Sequence, residues 1–274
     1  MAGITKLPEV YLLLAAERSG THFLRSMLAK APGVVAPGEV CNPRAGDIRT
    51  SATSFLRFRA NASVADEKFF YATFENQTEL LDKYVSFVRA STPKSSHVIL
   101  DVKYSHVHNF DPAWWEVVAR PLLLDFAVER GIRIIHLVRE KPYRTVISNM
   151  FGQESGVWHV RNANQIPELK LKVDRGVLQA RTLRLVQTID LFSRWLQGSQ
   201  KVRISYENLI NETETSLAML REFLALKVDI PRVSEFIKTI SSYDTAIENF
   251  SDIEDLIDVD LKDVNIEVDL DICP

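Results

Sequence analysis

Arg18-Ser19-Gly20-Thr21-His22-Phe23 stands between a short apolar run, Val10–Ala15, and a stretch with helical spacing that continues to Leu28. Residue types in that order suit the binding of an anion. The first N–H groups of a helix have no partner inside it, and the helix dipole favours negative charge at that end. Ser19 and Thr21 add hydroxyl donors, Gly20 lets backbone approach a ligand, and Arg18 adds a permanent positive charge. The pattern is not an ordinary phosphate loop. G-x-x-x-x-G-K-[ST] places lysine after its last glycine, and here that position is Thr21. The loop is expected to hold phosphate without the parts for magnesium-nucleotide hydrolysis.

A second constellation lies in Ile132–Val138, Arg139 and the following Glu140–Met150. It again runs from strand to helix. Arg139 falls at the strand's carboxyl end. Ser148 lies two turns into the helix, on the face of Arg144 and Lys141. An arginine and a serine converging in this way form a compact second phosphate clamp. A third set, Asp101-Val-Lys103-Tyr-Ser-His106, ends the apolar run Val98–Val102 and is expected to reach the same cleft.

These groups need a scaffold. Strand-like runs occur at Val10–Ala15, Val98–Val102, Ile132–Val138 and Val202–Tyr206. Helical patterns separate them: Asp111 to about Glu129 with a closing Gly131, Glu140–Met150, Asp174–Leu196 and Thr213–Leu224. The alternation predicts an α/β fold: a P-loop-type parallel β-sheet with helices on both faces, and a site beyond the strands' carboxyl ends. Trp114 and Trp115, at a predicted helix start, are assigned to packing. The stretches 41–77 and 151–173 fit the sheet less well. They are read as insertions that shape acceptor binding.

The chain has 274 residues and 46% apolar content, enough for one sizeable core. A single domain is expected over 1–243. Residues 244–274 carry eleven acids against Lys262, a charge of −10, so the rest carries +7 within a total of −3. A basic body suits an anionic ligand. The acidic end is expected to be a solvated tail; the rival reading is a cover for the basic cleft. Scattered basic residues, without a stripe of interleaved aromatics, argue against nucleic acid as a partner. No apolar run approaches the ~18–20 residues of a membrane span, and a cytoplasmic location is expected. Cys41 and Cys273 are expected to be free, and two cysteines are too few for a zinc site.

Leu14-Ala-Ala-Glu-Arg-Ser-Gly-Thr-His-Phe-Leu24 resembles the 5′-phosphosulfate loop of the sulfotransferases that use 3′-phosphoadenosine 5′-phosphosulfate (PAPS). Val138-Arg139 with Ser148 is similar to that family's 3′-phosphate motif. Ile204-Ser-Tyr206-Glu207-Asn-Leu resembles its V-x-Y-E-D-L segment. The style of the motifs is nearest to the bacterial-type carbohydrate enzymes. The phenol and steroid enzymes have lysine where Arg18 stands, and a basic C-terminal R-K-G segment. The resemblance implies PAPS as donor and PAP as product, no metal, and a glycan or small-molecule acceptor. It also implies Arg18, Ser19, Gly20, Thr21, His22, Phe23, Arg139, Ser148 and Tyr206 as donor-binding residues. Glu39, seventeen residues past His22, is the first choice for the base that takes the acceptor's proton, and His106 the second. Lys103 and Arg18 would stabilise charge on the bridging oxygen. The His22 ring is given no role. A homodimer is left open. Competing readings are a P-loop kinase, against which the missing lysine argues, and a non-catalytic binder of phosphorylated ligands. Ala16-Glu-Arg-Ser19-Gly20 is not an esterase elbow.

Overall fold

The computed structural model describes residues 7, 9–42, 53–114, 116 and 119–264. It contains a five-stranded parallel sheet: β1 (Glu9–Ala15), β2 (Val34–Val35), β3 (His97–Lys103), β4 (Arg133–Val138) and β5 (Lys201–Ser205). The spatial order is β2-β3-β1-β4-β5. All four expected strands are present, within a residue or two of the expected ends. The two-residue β2 carries too little pattern to be read from sequence.

The chain divides into two compact units, one comprising residues up to Val138 with Phe192–Glu235, the other Arg139–Leu191 with the rest. In the first unit, β1 is buried along its length, and its alternate residues serve opposite layers. Tyr11, Leu13 and Ala15 pack with α1 (Thr21–Leu28) and α8 (Thr213–Leu224), through Leu24, Met27, Leu217 and Leu220. Val10 and Leu12 face the other way, toward Leu81 and Tyr84 of α3 (Phe74–Ser91) and Phe126 of α4 (Leu122–Glu129). Helices therefore cover both faces, as the near-continuous apolar strands require.

The stretch 41–77 contains α2 (Phe55–Ala65), which starts where the Ser54 side chain accepts the Arg57 N–H at 3.3 Å. α3 starts in the same way at Thr73, which accepts from Asn76 N at 3.2 Å. The helix expected from Asp111 begins eleven residues later, after Pro121. Proline disfavours helical backbone in the residue before it. Asp111 still caps this helix from a distance, its carboxylate accepting the Leu122 N–H at 2.7 Å. Trp114 does not pack: it is fully exposed, with φ of 70°. Trp115 lies outside the described residues, as does Cys273. Cys41 is buried and free.

The second unit is built on α5 (Pro142–Ser155) and most of α6 (Arg175–Trp195). Pro142 opens α5, and Gly156, at φ of 70°, closes it. Tyr143, Ile147 and Phe151 pack against Leu171, Leu178, Ile247, Ile253 and Ile257. The acidic stretch from residue 244 thus contributes to a core up to residue 264 rather than forming a loose solvated end. Its buried isoleucines alternate with exposed acids, which the charge count conceals. No helix among the described residues is long and apolar enough to cross a membrane.

Candidate functional site

The turn from β1 into α1 is strained, as close contact with a ligand would require. Arg18 has φ of 62° and Gly20 φ of 89°. A non-glycine residue in the left-handed region costs about 1–2 kcal/mol. Gly20 is also pressed by Tyr206, the first residue of α7 (Tyr206–Asn211): a Cβ on Gly20 would collide with the Tyr206 ring. Phe23 meets that ring edge-on, with centroids 6.5 Å apart. β5 therefore delivers the tyrosine of the third motif onto the glycine of the first.

The start of α1 differs from those of α2, α3 and α7, each of which has a Ser or Thr side-chain cap. At α1 the N-cap is Gly20, with no side-chain cap bond and no acid in the first turn. A dipole end left without a carboxylate suits an incoming anion.

Lys103, the last residue of β3, lies behind this turn. Parallel register sets Ala15 beside Lys103 and Leu13 beside Asp101. With a period of two, Asp101 and Lys103 share the α1 side of the sheet. The Lys103 ammonium is 2% exposed and donates to Thr21 Oγ1 at 2.5 Å and to Asp101 Oδ1 at 2.7 Å. A lysine from a neighbouring strand thus lies against Thr21, the residue that follows Gly20. Asp101 is fully buried and also accepts from Arg25 Nη1 of α1 at 3.1 Å. Burial pushes its carboxyl up, but Lys103 and Arg25 outweigh that and hold it below the ordinary value.

Glu39 comes alongside through the backbone. It bridges Asp101 in parallel fashion, and Val40 N donates to Asp101 O at 3.1 Å. Its carboxylate is 16% exposed. Oε2 accepts from Asn42 Nδ2 at 2.8 Å, while Oε1 lies 3.6 Å from Lys103 Nζ and 4.0 Å from His22 Nε2. His106 lies in the 3-10 turn Tyr104–Phe110 that follows β3. Its Nδ1 is buried, with no hydrogen-bond partner among the described residues. Burial lowers its pKa, while Glu39 and Glu17 act in the opposite direction. Ser105 Oγ donates to Glu17, which joins this turn to the first loop.

Glu39 therefore lies within 4.0 Å of both Lys103 and His22, Lys103 also bonds to Thr21, and His106 is near enough to feel the Glu39 charge. Arg18 and Ser19 are held in the same turn, with Ser19 buried. Sequence reasoning placed Asp101 in the third set without a role of its own, passed over Arg25 and Asn42, and gave the His22 ring nothing to do. A usable signal was the lone carboxylate inside the apolar run Val98–Val102, because a buried charge must find partners.

Arg139 and Ser148 belong to the second unit. Arg139 follows β4 directly, and its Nη2 donates to the Tyr243 hydroxyl at 3.3 Å. Tyr243 opens α9 (Tyr243–Ala246). Ser148 is buried on α5. The cations on its face are engaged by the acidic stretch. Lys141 Nζ bonds to Asp258 O at 2.5 Å and lies 3.0 Å from Asp260, and Arg144 pairs with Asp258.

Residues 12–229 match the model of a family described as the sulfotransferase family. No curated protein matches the chain. Among solved structures, the chain is similar to the sulfotransferase domain from the curacin biosynthetic pathway, at 16% identity over 88% of this chain and 83% of that one, TM-score 0.47. It is also similar to the sulfotransferase domain of the Synechococcus PCC 7002 olefin synthase, at 18% identity over 92% and 86%, TM-score 0.44. Mouse sulfotransferase SULT7A1, solved with PAP, is 16% identical over 81% of this chain and 60% of that one, TM-score 0.45.

Proposed function

The chain belongs to the sulfotransferase family, and we propose that it moves the sulfuryl group of PAPS to an acceptor hydroxyl on a carbohydrate or glycolipid. The observation that carries this reading is the Glu39 carboxylate 3.6 Å from the Lys103 ammonium, itself 2.5 Å from Thr21 at the uncapped start of α1. On this reading Glu39 is the base, Lys103 a charge partner and the start of α1 the anion seat.

The residues suit an anionic donor of this kind. The left-handed turn at Gly20, the α1 N-terminus without an acid and the Arg18 guanidinium all favour a phosphosulfate. Bound PAPS supplies an activated sulfuryl group whose transfer leaves negative charge on the bridging oxygen. Arg18, the N–H groups of Ser19 to His22 and Lys103 neutralise that charge. Glu39 accepts the hydroxyl proton as the new S–O bond forms and the bond to the 5′-phosphate breaks. The barrier is lowered chiefly by positioning and charge, as in phosphoryl transfer. Arg139 and Ser148 are assigned the donor's 3′-phosphate, and Tyr206 and Phe23 an aromatic contact with the nucleotide. The assignment of a sugar acceptor rests on the motif resemblance.

The deciding experiment is transfer of labelled sulfate from PAPS into a panel of glycans, glycolipids and small alcohols. Transfer to a sugar hydroxyl is expected. Magnesium-dependent ATP turnover would overturn the reading in favour of a kinase. PAP binding without transfer to any acceptor would favour a binding module.

A further inference from the structure

The buried group that the transfer step does not use is Asp101, and its surroundings give it a specific task. Four charges lie in sequence across the first unit: Arg25 on α1, Asp101 and Lys103 on β3, and Glu39 on the segment beside β3. Two are positive and two negative, so the set is neutral. The spacing within it is uneven. Lys103 lies 2.7 Å from Asp101 but 3.6 Å from Glu39. Asp101 therefore has the closer hold on an ammonium that could otherwise form a tight ion pair with Glu39. A carboxylate engaged in such a pair is a poor proton acceptor.

We propose that Asp101 is a positioning residue that draws Lys103 toward Thr21 and away from Glu39, leaving Glu39 able to take the acceptor's proton. Arg25 is the counterweight. By taking one oxygen of Asp101, it limits how strongly Asp101 competes for Lys103. The inference rests on the role given to Glu39 above. The groups facing Glu39 are His22 from α1, Lys103 from β3, His106 from the turn after β3, and Asn42 from its own segment. Asp101 and Arg25 act on it through Lys103, and Glu17 through His106.

Replacement of Asp101 and of Arg25 should act with opposite sign. Asp101→Asn keeps the shape but removes the negative charge, so Lys103 turns to Glu39. The Glu39 titration midpoint and the acid limb of kcat/KM are then expected to fall together. kcat is expected to drop roughly threefold to tenfold, with PAP affinity unchanged or higher. Arg25→Gln leaves Asp101 wholly to Lys103, and both midpoints are expected to rise. The midpoint is read by NMR in protein carrying 13C-labelled glutamate, with the Glu39 signal assigned from Glu39→Gln, whether or not turnover is found.

Opposite shifts that vanish in a Lys103→Met background establish the linkage; opposite shifts that persist there are the direct effect of the lost charges and overturn it. Unmoved midpoints, or shifts of the same sign, overturn it. If Asp101→Asn does not fold, the Arg25→Gln titration decides alone: a rise that Lys103→Met abolishes supports the proposal, and no change or a rise that persists refutes it. If the midpoints shift as expected but no sulfate transfer occurs, the linkage stands and the sulfotransferase role of Glu39 fails. If transfer is present but the midpoints do not move, only the positioning role fails.

Discussion

Gly20→Ala tests the strained turn most directly. The new Cβ meets two separate obstacles: a φ of 89° and the Tyr206 ring. Left-handed backbone costs an alanine about 1–2 kcal/mol. Forcing a methyl group into a filled contact costs about 1–3 kcal/mol. Stiffening of the unfolded chain by alanine returns about 0.4–1 kcal/mol. The expected net loss of stability is therefore roughly 1–5 kcal/mol. The two obstacles can be separated, because only one involves Tyr206. In a Tyr206→Ala background the steric part disappears and the backbone part remains. The double-mutant cycle should then give a coupling of about 1–3 kcal/mol, with the pair less harmful than the sum of its members. Urea unfolding of the four proteins, followed by circular dichroism, measures each corner. A Gly20→Ala protein within about 0.5 kcal/mol of the parent, the range of an unremarkable surface change, would refute the geometry. An equal cost in both backgrounds would refute the Tyr206 contact while leaving the left-handed turn in place.

Three further outcomes are expected. Glu39→Gln should lower turnover by roughly 10²–10⁴-fold and leave PAP binding, measured by calorimetry, within error of the parent. Arg139→Ala should weaken PAP binding roughly tenfold to a hundredfold, and Ser148→Ala about tenfold; unchanged affinity in the arginine variant would remove the 3′-phosphate assignment. His136, buried in β4 with Nε2 2.6 Å from the Tyr104 hydroxyl, is pushed down to about 3 by burial, then by Arg203 and Lys201. Between its ordinary 6.5 and about 3 only the unfolded chain binds this proton, so the contribution is complete above pH 6.5 and is lost as pH falls through that window. The loss is about 2 kcal/mol by pH 5, and His136→Gln should flatten the stability profile over this range in denaturant titrations.

The layered α/β architecture was legible because its signals are local. Four apolar runs and the helices between them follow from side-chain period alone, and Thr213–Leu224 was read to the residue. The first loop was legible for the same reason: Ser19, Gly20 and Thr21 are consecutive and lie between a strand and a helix. The start of α4 was misread because Asp111 is a competent cap whose partner, Leu122 N, is eleven residues away. The acidic stretch was misread because net charge does not reveal which isoleucines face a core. In each case the deciding contact was distant in sequence.

The amino-acid order by itself determined that this chain would make a strand-turn-helix whose loop lacks a Walker lysine, and it supplied Glu39, Lys103 and His106 as candidates for proton and charge chemistry. It did not say how they meet. That required the parallel pairing of β1 with β3, which sets Lys103 beside Ala15, and the bridge from Glu39 to Asp101. Thr21 and Lys103 are 82 residues apart and their polar atoms 2.5 Å apart. Side-chain period fixes which face of a strand a residue occupies, but strand order and register decide which charges become neighbours. The placement of Lys103 against Thr21, and its closer contact with Asp101 than with Glu39, are therefore properties of the tertiary structure.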